Sequence, residues 1–558
     1  MVFAINQCVV EDSLVDLYAP DTYQSSSAQP PLSSSGGTRI SKSERNLVSW
    51  ALAGTYDEDT QILIDAEEPS RFLTRRLAVD LITRLAGSFE PGTTVCVHSP
   101  NDALYPIIVL AILASGCIWT GTNPASTSAE LQHHLTSSKA SYVITVLEHL
   151  QTVRTSVEAC AGNIEILMWA DILSEEKSGS RLANGYRTLH DLLQRSQTRS
   201  LEKRLDEIMN TFPATTFSTS GTTGLPKMIQ RTHRELILES EATKDAPKPY
   251  PVRRLYCTPM FHAYSFTDMT INTIRLGLPS FYMRRYNTSF AQKVLQFSAT
   301  ETLVAPPVLM LLSDQAQADP EERKNIQSLR TVICAGAPLS AQLRSKFTDL
   351  FDYPIRLVQG WGMSEGGWFT TFRYPECDDT GSVGRPVQGY EIRTSGLDPL
   401  VIDGDRLASE LLVRAPQMPR SYLNNPSASA EAFTKNGWLK TGDTGYIENG
   451  KIYLVDRVKD MIKVNGWSVA PAEMEAVLYR NPRVFDAAVV GHGAGIDEHP
   501  VIFVVPKGGE VSPSNITDHL LQFVARFKVA KCEVKFVDMI PRNPSGKILR
   551  KILRQQLD

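Results

Sequence analysis

From near Ile40 to about residue 455, β-rich apolar runs alternate with amphipathic stretches, and this alternation restricts the folds open to the chain. TTVCVHSP (93–100) gives way to ALYPIIVLAILASGCIW (103–119), then to the helix-like SAELQHHLTSSKA (128–140), then to SYVITV (141–146). ETLVAPP (301–307), a polar helical stretch and LRTVICAGAPLS (329–340) repeat the pattern later. Such alternation predicts α/β layers with largely parallel strands. After KIYLVDRVKDMIKVNG (451–466) it changes to a compact α+β pattern, with PAEMEAVLYR as a helix, VFDAAVVG and PVIFVVP as strands, and a basic tail. The expected architecture is a large multi-layer N-terminal domain of β-sheets flanked by helices over 41–457 and a small α+β C-terminal domain over 458–558. The boundary falls near Arg457 to Lys459. Residues 1–40 contain QSSSAQPPLSSSGG (24–37), nearly free of large apolar side chains, and are predicted to be a flexible segment.

Among the 558 residues, 57 basic and 61 acidic side chains leave a net charge of −4, which provides no electrostatic reason to expect nucleic acid or a membrane surface. Small-molecule chemistry is the better expectation. The eight cysteines are scattered without a C-x-x-C pair and read as reduced structural thiols, not a disulfide frame or a metal site. MVFAINQCVVEDSLVD lacks the basic start of a secretory signal. The apolar run 104–117 has 14 residues and contains Pro106, which suits a buried helix better than a bilayer span. A cytoplasmic protein without stable membrane insertion is expected; the C-terminal QQLD is not the S-K-L peroxisomal address, so a peroxisomal location would need another import route.

STSGTTGLPK (218–227) has the ingredients of an anion cradle without the Walker A spacing, because Gly221 and Gly224 are three apart and Met228 follows Lys227. Glycines let the backbone approach a ligand, Ser218, Thr219, Ser220, Thr222 and Thr223 bring hydroxyls, and Lys227 brings a charge. A polar turn after the strand ATTFSTS uses the same residues, and this stretch alone leaves both readings open.

STSGTTGLPK resembles the signature of the adenylate-forming superfamily, which includes acyl-CoA synthetases, 4-coumarate:CoA ligases, beetle luciferases and peptide adenylation domains. Six further stretches follow in that family's order: PMFHAYSF (259–266), CAGAPLS (334–340), QGWGMSE (359–365), LKTGDTGY (439–446), DRVKDMIKVNGWSVAPAEME (456–475) and PRNPSGKILR (541–550). The resemblance covers roughly residues 45 to 555. It implies an AMP-forming acid-thiol ligase that uses ATP, Mg²⁺ and CoA. A carboxylate attacks the α-phosphate of ATP to give an acyl-adenylate and pyrophosphate, and a thiol then displaces AMP.

The resemblance also implies roles. The loop 218–227 holds the β- and γ-phosphates, and Glu365 binds Mg²⁺. Gly336, Ala337 and Trp361 enclose adenine, followed by Gly362, Met363 and Ser364 of the same nucleotide motif. Trp361 stands where relatives commonly carry Tyr. Asp443 and Arg457 meet the ribose, and Lys547 bridges the carboxylate and α-phosphate. Lys459 marks the hinge about which the small, mobile domain turns, bringing Lys463, Gly466 and Trp467 to the thiol site. At Asn465 many relatives have Lys. His262 gates the passage between acyl pocket and thiol tunnel, and His262, Tyr264, Ala335 and Gly360 line the acyl pocket. The residues alone leave His262 open to a reading as a hydrogen-bonded core histidine. They equally admit an aryl or arylalkenoic acid or a medium-to-long fatty acid. Asp268 is expected to cap the helix TDMTINTI, the alternative being recognition of a substrate hydroxyl or amine. Rival functions are loading of a carrier protein, a luciferase-like oxygenase and an inactive nucleotide-binding relative. No phosphopantetheine-bearing segment is recognisable after Lys547, and every catalytic position is filled.

Overall fold

Strand Thr94–His98, buried at every position, is the centre of a seven-stranded sheet. A strand covered on both faces needs no polar alternation, which is why TVCVH reads as a continuous apolar run. Ala140–Thr145, Glu165–Met168 and Arg187–Thr188 extend the sheet on one side, and Ile118–Gly121, Pro213–Ser218 and Met228–Thr232 on the other; all pairs are parallel except the last. A second seven-stranded sheet is centred on Arg254–Tyr256, with Glu301–Val304, Thr331–Cys334 and Arg356–Gln359 on one side. Ser280–Tyr282, Gln61–Asp65 and the antiparallel Phe72–Thr74 lie on the other. The computed structural model describes residues 46–557 apart from 170–171, 174–184, 195–199, 220–225, 398–399, 404–405, 465–466, 494–496, 509–510, 530 and 544–545. The segment 1–40 predicted to be flexible lies outside the described residues, as does Cys8; the other seven cysteines are free thiols.

The helix predicted within 104–117 is Tyr105–Ala114, and all ten of its residues are buried. A helix apolar on every side is at home only inside, and each fully buried Ile or Leu contributes on the order of 1.5–3 kcal/mol over its exposed state. It shares a core with Trp119 and Phe217 of the first sheet, Tyr256 and Tyr282 of the second and Phe266 of the helix Ala263–Phe266; the rings of Trp119, Phe217 and Phe266 meet at centroid distances of 4.3 to 5.5 Å. Polar caps set neighbouring helices: Thr127 and Glu130 form a capping box on Ser128–Ser138, and Thr232 and Glu235 form one on His233–Thr243. No helix among the described residues is long and apolar enough to cross a membrane.

The expectation of largely parallel strands up to residue 455 fails from Trp361 onward, where Trp361–Met363, Gly367–Thr371 and Arg385–Pro386 pair antiparallel. Strands Glu391–Thr394, Arg406–Arg414, Leu439–Glu448 and Lys451–Arg457 pair antiparallel. For the last of these pairs the cause is local: Asn449 and Gly450 adopt φ of 52° and 70°, the left-handed pair that closes a two-residue hairpin. Such a turn cannot carry the chain across to a parallel neighbour.

The C-terminal region has its own core. Val484–His492 and His499–Pro506 pair antiparallel, with Glu533–Phe536 parallel at the edge, and helices Pro471–Leu478 and Pro513–Leu521 supply residues to the same apolar cluster.

Candidate active site

In open parallel sheets, ligands bind beyond the carboxyl ends of the strands. Thr331–Cys334 and Arg356–Gln359 are parallel neighbours, so Ala335–Ala337 and Gly360–Glu365 leave the second sheet side by side. Gly360 N donates to Cys334 O at 3.2 Å and Leu339 N to Gln359 Oε1 at 3.3 Å, tying the two exits together. Gly336 turns at φ 91°, a conformation open to glycine. Trp361–Met363 then doubles back on Gly367–Thr371, and a Cβ on Gly362 would stand 2.1 Å from the Gly367 carbonyl oxygen.

The antiparallel sheet brings Asp443 to this edge, in register with Arg457 on the next strand. The Asp443 carboxylate is buried and already engaged: Arg457 Nε lies 2.7 Å from Oδ1, and Trp361 Nε1 donates to Oδ2 at 2.9 Å. Each oxygen keeps acceptor capacity for further donors such as ribose hydroxyls. The indole at 361 thus holds Asp443 through its ring N–H, a contact that sequence reasoning did not anticipate.

Lys547 comes to the same place from the C-terminal region. A tight turn fixes it, with Lys547 N donating to Asn543 Oδ1 at 2.8 Å and Gly546 N to Asn543 O at 2.8 Å. Burial, then the repulsion of Arg457 and Lys459, lowers its ammonium to about 8, with Asp443 opposing. Lys459 lies on the short 3-10 turn Val458–Asp460 and is also lowered, by partial burial and by Arg457. Lys463 is exposed on Ile462–Val464, whose Ile462 and Val464 belong to the C-terminal core. Asn465 and Gly466 lie outside the described residues; Trp467 opens the short strand Trp467–Val469 that pairs with Ile462–Val464.

Ser220, Gly221, Thr222, Thr223 and Gly224 lie outside the described residues. The two ends of their loop are joined: Thr219 N donates to Lys227 O at 2.8 Å, and Lys227 N to Thr219 Oγ1 at 3.3 Å. Ser364 Oγ donates to Ser218 O at 3.2 Å, placing the Glu365 loop against this hairpin. Glu365 is buried, and desolvation raises its carboxyl above the usual range despite the hydrogen bond from Tyr422 Oη at 2.8 Å. Lys227 Nζ sits 4.9 Å from the centre of the Tyr422 ring. Tyr422 therefore links Lys227 to the Glu365 carboxylate, and no motif marks it in the sequence. No group of three or more His, Cys, Asp or Glu suited to a metal occurs among the described residues. A single buried carboxylate suits a Mg²⁺ ion bound mainly by phosphate and water oxygens, and the charge of such an ion would favour the ionised form that burial alone disfavours.

His262 and Tyr264 have ring centroids 6.1 Å apart, and Trp368, which no motif singled out, stands 6.4 Å from Tyr264. Burial lowers His262 to about 4, keeping the imidazole neutral, and its Nε2 is buried without a hydrogen-bond partner. It is therefore not a fully hydrogen-bonded core histidine. The expected cap at Asp268 is not formed, because the chain is already helical from Ala263 onward. Asp268 instead accepts from Arg254 Nη1 at 2.7 Å and Tyr256 Oη at 2.8 Å, a buttress on the second sheet.

The sequence profile of the AMP-binding enzyme family matches residues 63–423, and that of the AMP-binding enzyme C-terminal domain matches residues 473–547. An acyl-CoA ligase of Phoma sp. is 53% identical over 520 residues, covering 92% of this chain and 96% of that protein. A phenylacetyl-CoA ligase of Aspergillus niger is 36% identical, covering 92% of this chain and 97% of that protein. The crystal structure of an anthranilate CoA ligase with anthranoyl-AMP shares the fold, with a TM-score of 0.76, 21% identity and coverage of 92% of this chain and 97% of that one. The chain belongs to the AMP-binding enzyme family and is an AMP-forming acyl-CoA ligase.

Proposed function

We propose that this ligase joins a carboxylic acid to CoA in two half-reactions at one site, with residues 458–558 turning against 41–457 between them. The observation that carries the reading is the meeting of Lys547 with Asp443 and Arg457. In the first half-reaction the acid's carboxylate oxygen bonds to the α-phosphorus of ATP as the bond to pyrophosphate breaks. Two anions must come together, so positioning and charge stabilisation carry the rate. Asp443 and Arg457 orient the ribose, with Trp361, Gly336, Ala337, Gly362 and Met363 around adenine. Lys547 directs its ammonium between carboxylate and α-phosphate. Ser218, Thr219, Ser220, Gly221, Thr222, Thr223, Gly224 and Lys227 hold the departing pyrophosphate. Ser364 supports Glu365, which would hold the Mg²⁺ that offsets phosphate charge.

In the second half-reaction the thiol sulfur bonds to the acyl carbon and AMP leaves. Turning about Lys459 withdraws Lys547 and presents Lys463, Gly466 and Trp467, a rigid-body switch. His262, Tyr264, Ala335 and Gly360 line the acyl site. The relatives, two of them ligases of ring-bearing acids by name, support CoA over a carrier protein as acceptor and a ring among the acids accepted.

The test separates the half-reactions. Lys547→Ala should abolish acid-dependent pyrophosphate release while leaving conversion of preformed acyl-adenylate and CoA to acyl-CoA within about threefold of the native rate. Equal loss of both would remove Lys547 from this role.

A further inference from the structure

We propose that Trp368 walls off the acyl site beside Gly360, so that the site takes a compact, planar aromatic acid bearing a hydrogen-bonding substituent or ring heteroatom and excludes an aliphatic chain. The inference rests on the assignment of His262, Tyr264 and Gly360 to the acyl site made above.

Trp368 is 8% exposed and fixed at three points. Its backbone N–H donates to Glu239 Oε1 at 3.1 Å, and Glu239 is itself locked in a fully buried ion pair with Arg231. Its indole Nε1 donates to the Tyr264 carbonyl at 2.9 Å. Its six-membered ring lies on Gly360, where an added Cβ would be 2.1 Å from Cζ3. The space that glycine at 360 would leave for a substrate is thus already filled by an indole. Swinging the ring away would strand the buried Nε1–H and lift the ring from its packing, so Trp368 acts as a wall, not a gate.

The remaining surface is aromatic. Phe261 and His262 lie 4.6 Å apart at an interplanar angle of 31°, and Tyr264 presents its ring at 67° to Trp368. Faces and edges in this arrangement favour a flat ring over a flexible chain. One polar atom in this wall, His262 Nε2, is buried without a hydrogen-bond partner, whereas Tyr264 Oη has the Thr258 hydroxyl as a neighbour. A hydrocarbon tail would leave His262 Nε2 unmatched, whereas a hydroxyl, amine or ring nitrogen could pair with it. Polar mismatch of this kind discriminates more strongly than methylene count.

The full-length enzyme is assayed for pyrophosphate release with Mg-ATP and a panel of benzoate, 4-hydroxybenzoate, nicotinate, octanoate and dodecanoate. The expected result is kcat/KM at least about 100-fold higher for the best substituted or heteroaromatic acid than for either fatty acid. Trp368→Ala should raise octanoate kcat/KM by about tenfold or more and lower the aryl values, with Trp368→Phe between. His262→Leu should level benzoate with its polar analogues. Binding of benzoyl- and octanoyl-sulfamoyl-adenosine by calorimetry repeats the comparison without turnover and needs no variant. Preference of the native enzyme for octanoate or dodecanoate over every aryl acid overturns the inference and leaves the ligase reading standing. So does an unchanged octanoate-to-aryl ratio in a folded Trp368→Ala enzyme. Benzoate equal to or better than its polar analogues refutes the hydrogen-bonding part. Failure of every acid to release pyrophosphate would overturn the ligase reading, and this inference with it.

Discussion

On the role proposed for Lys547, adenylation should fail as its ammonium loses its proton, and burial places this loss near pH 8. Burial, reinforced by Arg457 and Lys459, draws the ammonium from 10.5 to about 8. That displacement is roughly 3 kcal/mol of disfavour toward the charged form. The folded value is lowered, so the charged form prevails below about 8 and is lost as pH rises through it. Only the charged form can bridge two anions. The logarithm of kcat/KM for pyrophosphate release should therefore be level near neutrality and bend down with unit slope above about pH 8. With ATP and acid bound, their negative charges favour the proton, so the bend in kcat should move upward by about a unit or more. Lys547→Arg carries a charge that does not titrate here, and its residual rate should lose the bend. Arg457→Gln removes a neighbouring positive charge and should move the bend upward. The assay is continuous pyrophosphate release at limiting and saturating substrate between about pH 6 and 10, where a carboxylic acid substrate stays ionised. A profile level to about pH 9.5, or a bend near 8 that survives Lys547→Arg, refutes the reasoning.

Tyr422→Phe removes the phenol that donates to Glu365 and should raise the carboxyl further, moving the acid limb of the same profile upward and increasing the Mg²⁺ needed for half-maximal rate by about threefold to tenfold. Gly546 has φ 82° and a Cβ there would lie 2.3 Å from Pro307 Cγ. Gly546→Ala should therefore slow pyrophosphate release about tenfold or more while thioester formation from preformed adenylate changes little. Glu239→Gln leaves the fully buried Arg231 guanidinium without its counter-charge and should destabilise the fold by about 3–5 kcal/mol in urea denaturation, measured at constant slope. A loss under about 1 kcal/mol would mean that the pair is not the anchor described.

The parts of the site legible in the sequence are those where chemistry dictates residue type. Gly336, Trp361, Asp443 and Lys547 lie in stretches whose glycines, acid and base are demanded by a nucleotide, and the structure gathers three of those stretches around one carboxylate. Tyr422 and Trp368 were not legible, because their importance comes from partners far along the chain: Glu365 is 57 residues from Tyr422, and Tyr264 is 104 from Trp368. Asp268 shows a different failure. An acid ahead of a helical run is the usual sign of a cap, but the helix had begun earlier, and the carboxylate turned to Arg254 and Tyr256 instead. The antiparallel sheet was hidden for a similar reason. Its strands carry more charge than the parallel ones, but charge does not fix the direction of pairing, and the Asn449–Gly450 turn marks one antiparallel pair alone.

That turn has a consequence for how the ligase can vary. A side chain's face in a strand alternates with every residue, so the hairpin between Asp443 and Arg457 works as a counting device. A slip of one residue in this pairing, which the turn and the irregularity between Thr444 and Gly445 together prevent, would rotate Arg457 to the opposite face and leave Asp443 without its guanidinium, although neither side chain had been altered. The Asp443–Arg457 pairing is therefore written partly in chain length. Changes of sequence at this exposed tip should be tolerated where left-handed backbone is kept, whereas changes of length should accumulate in other surface loops and be purged here.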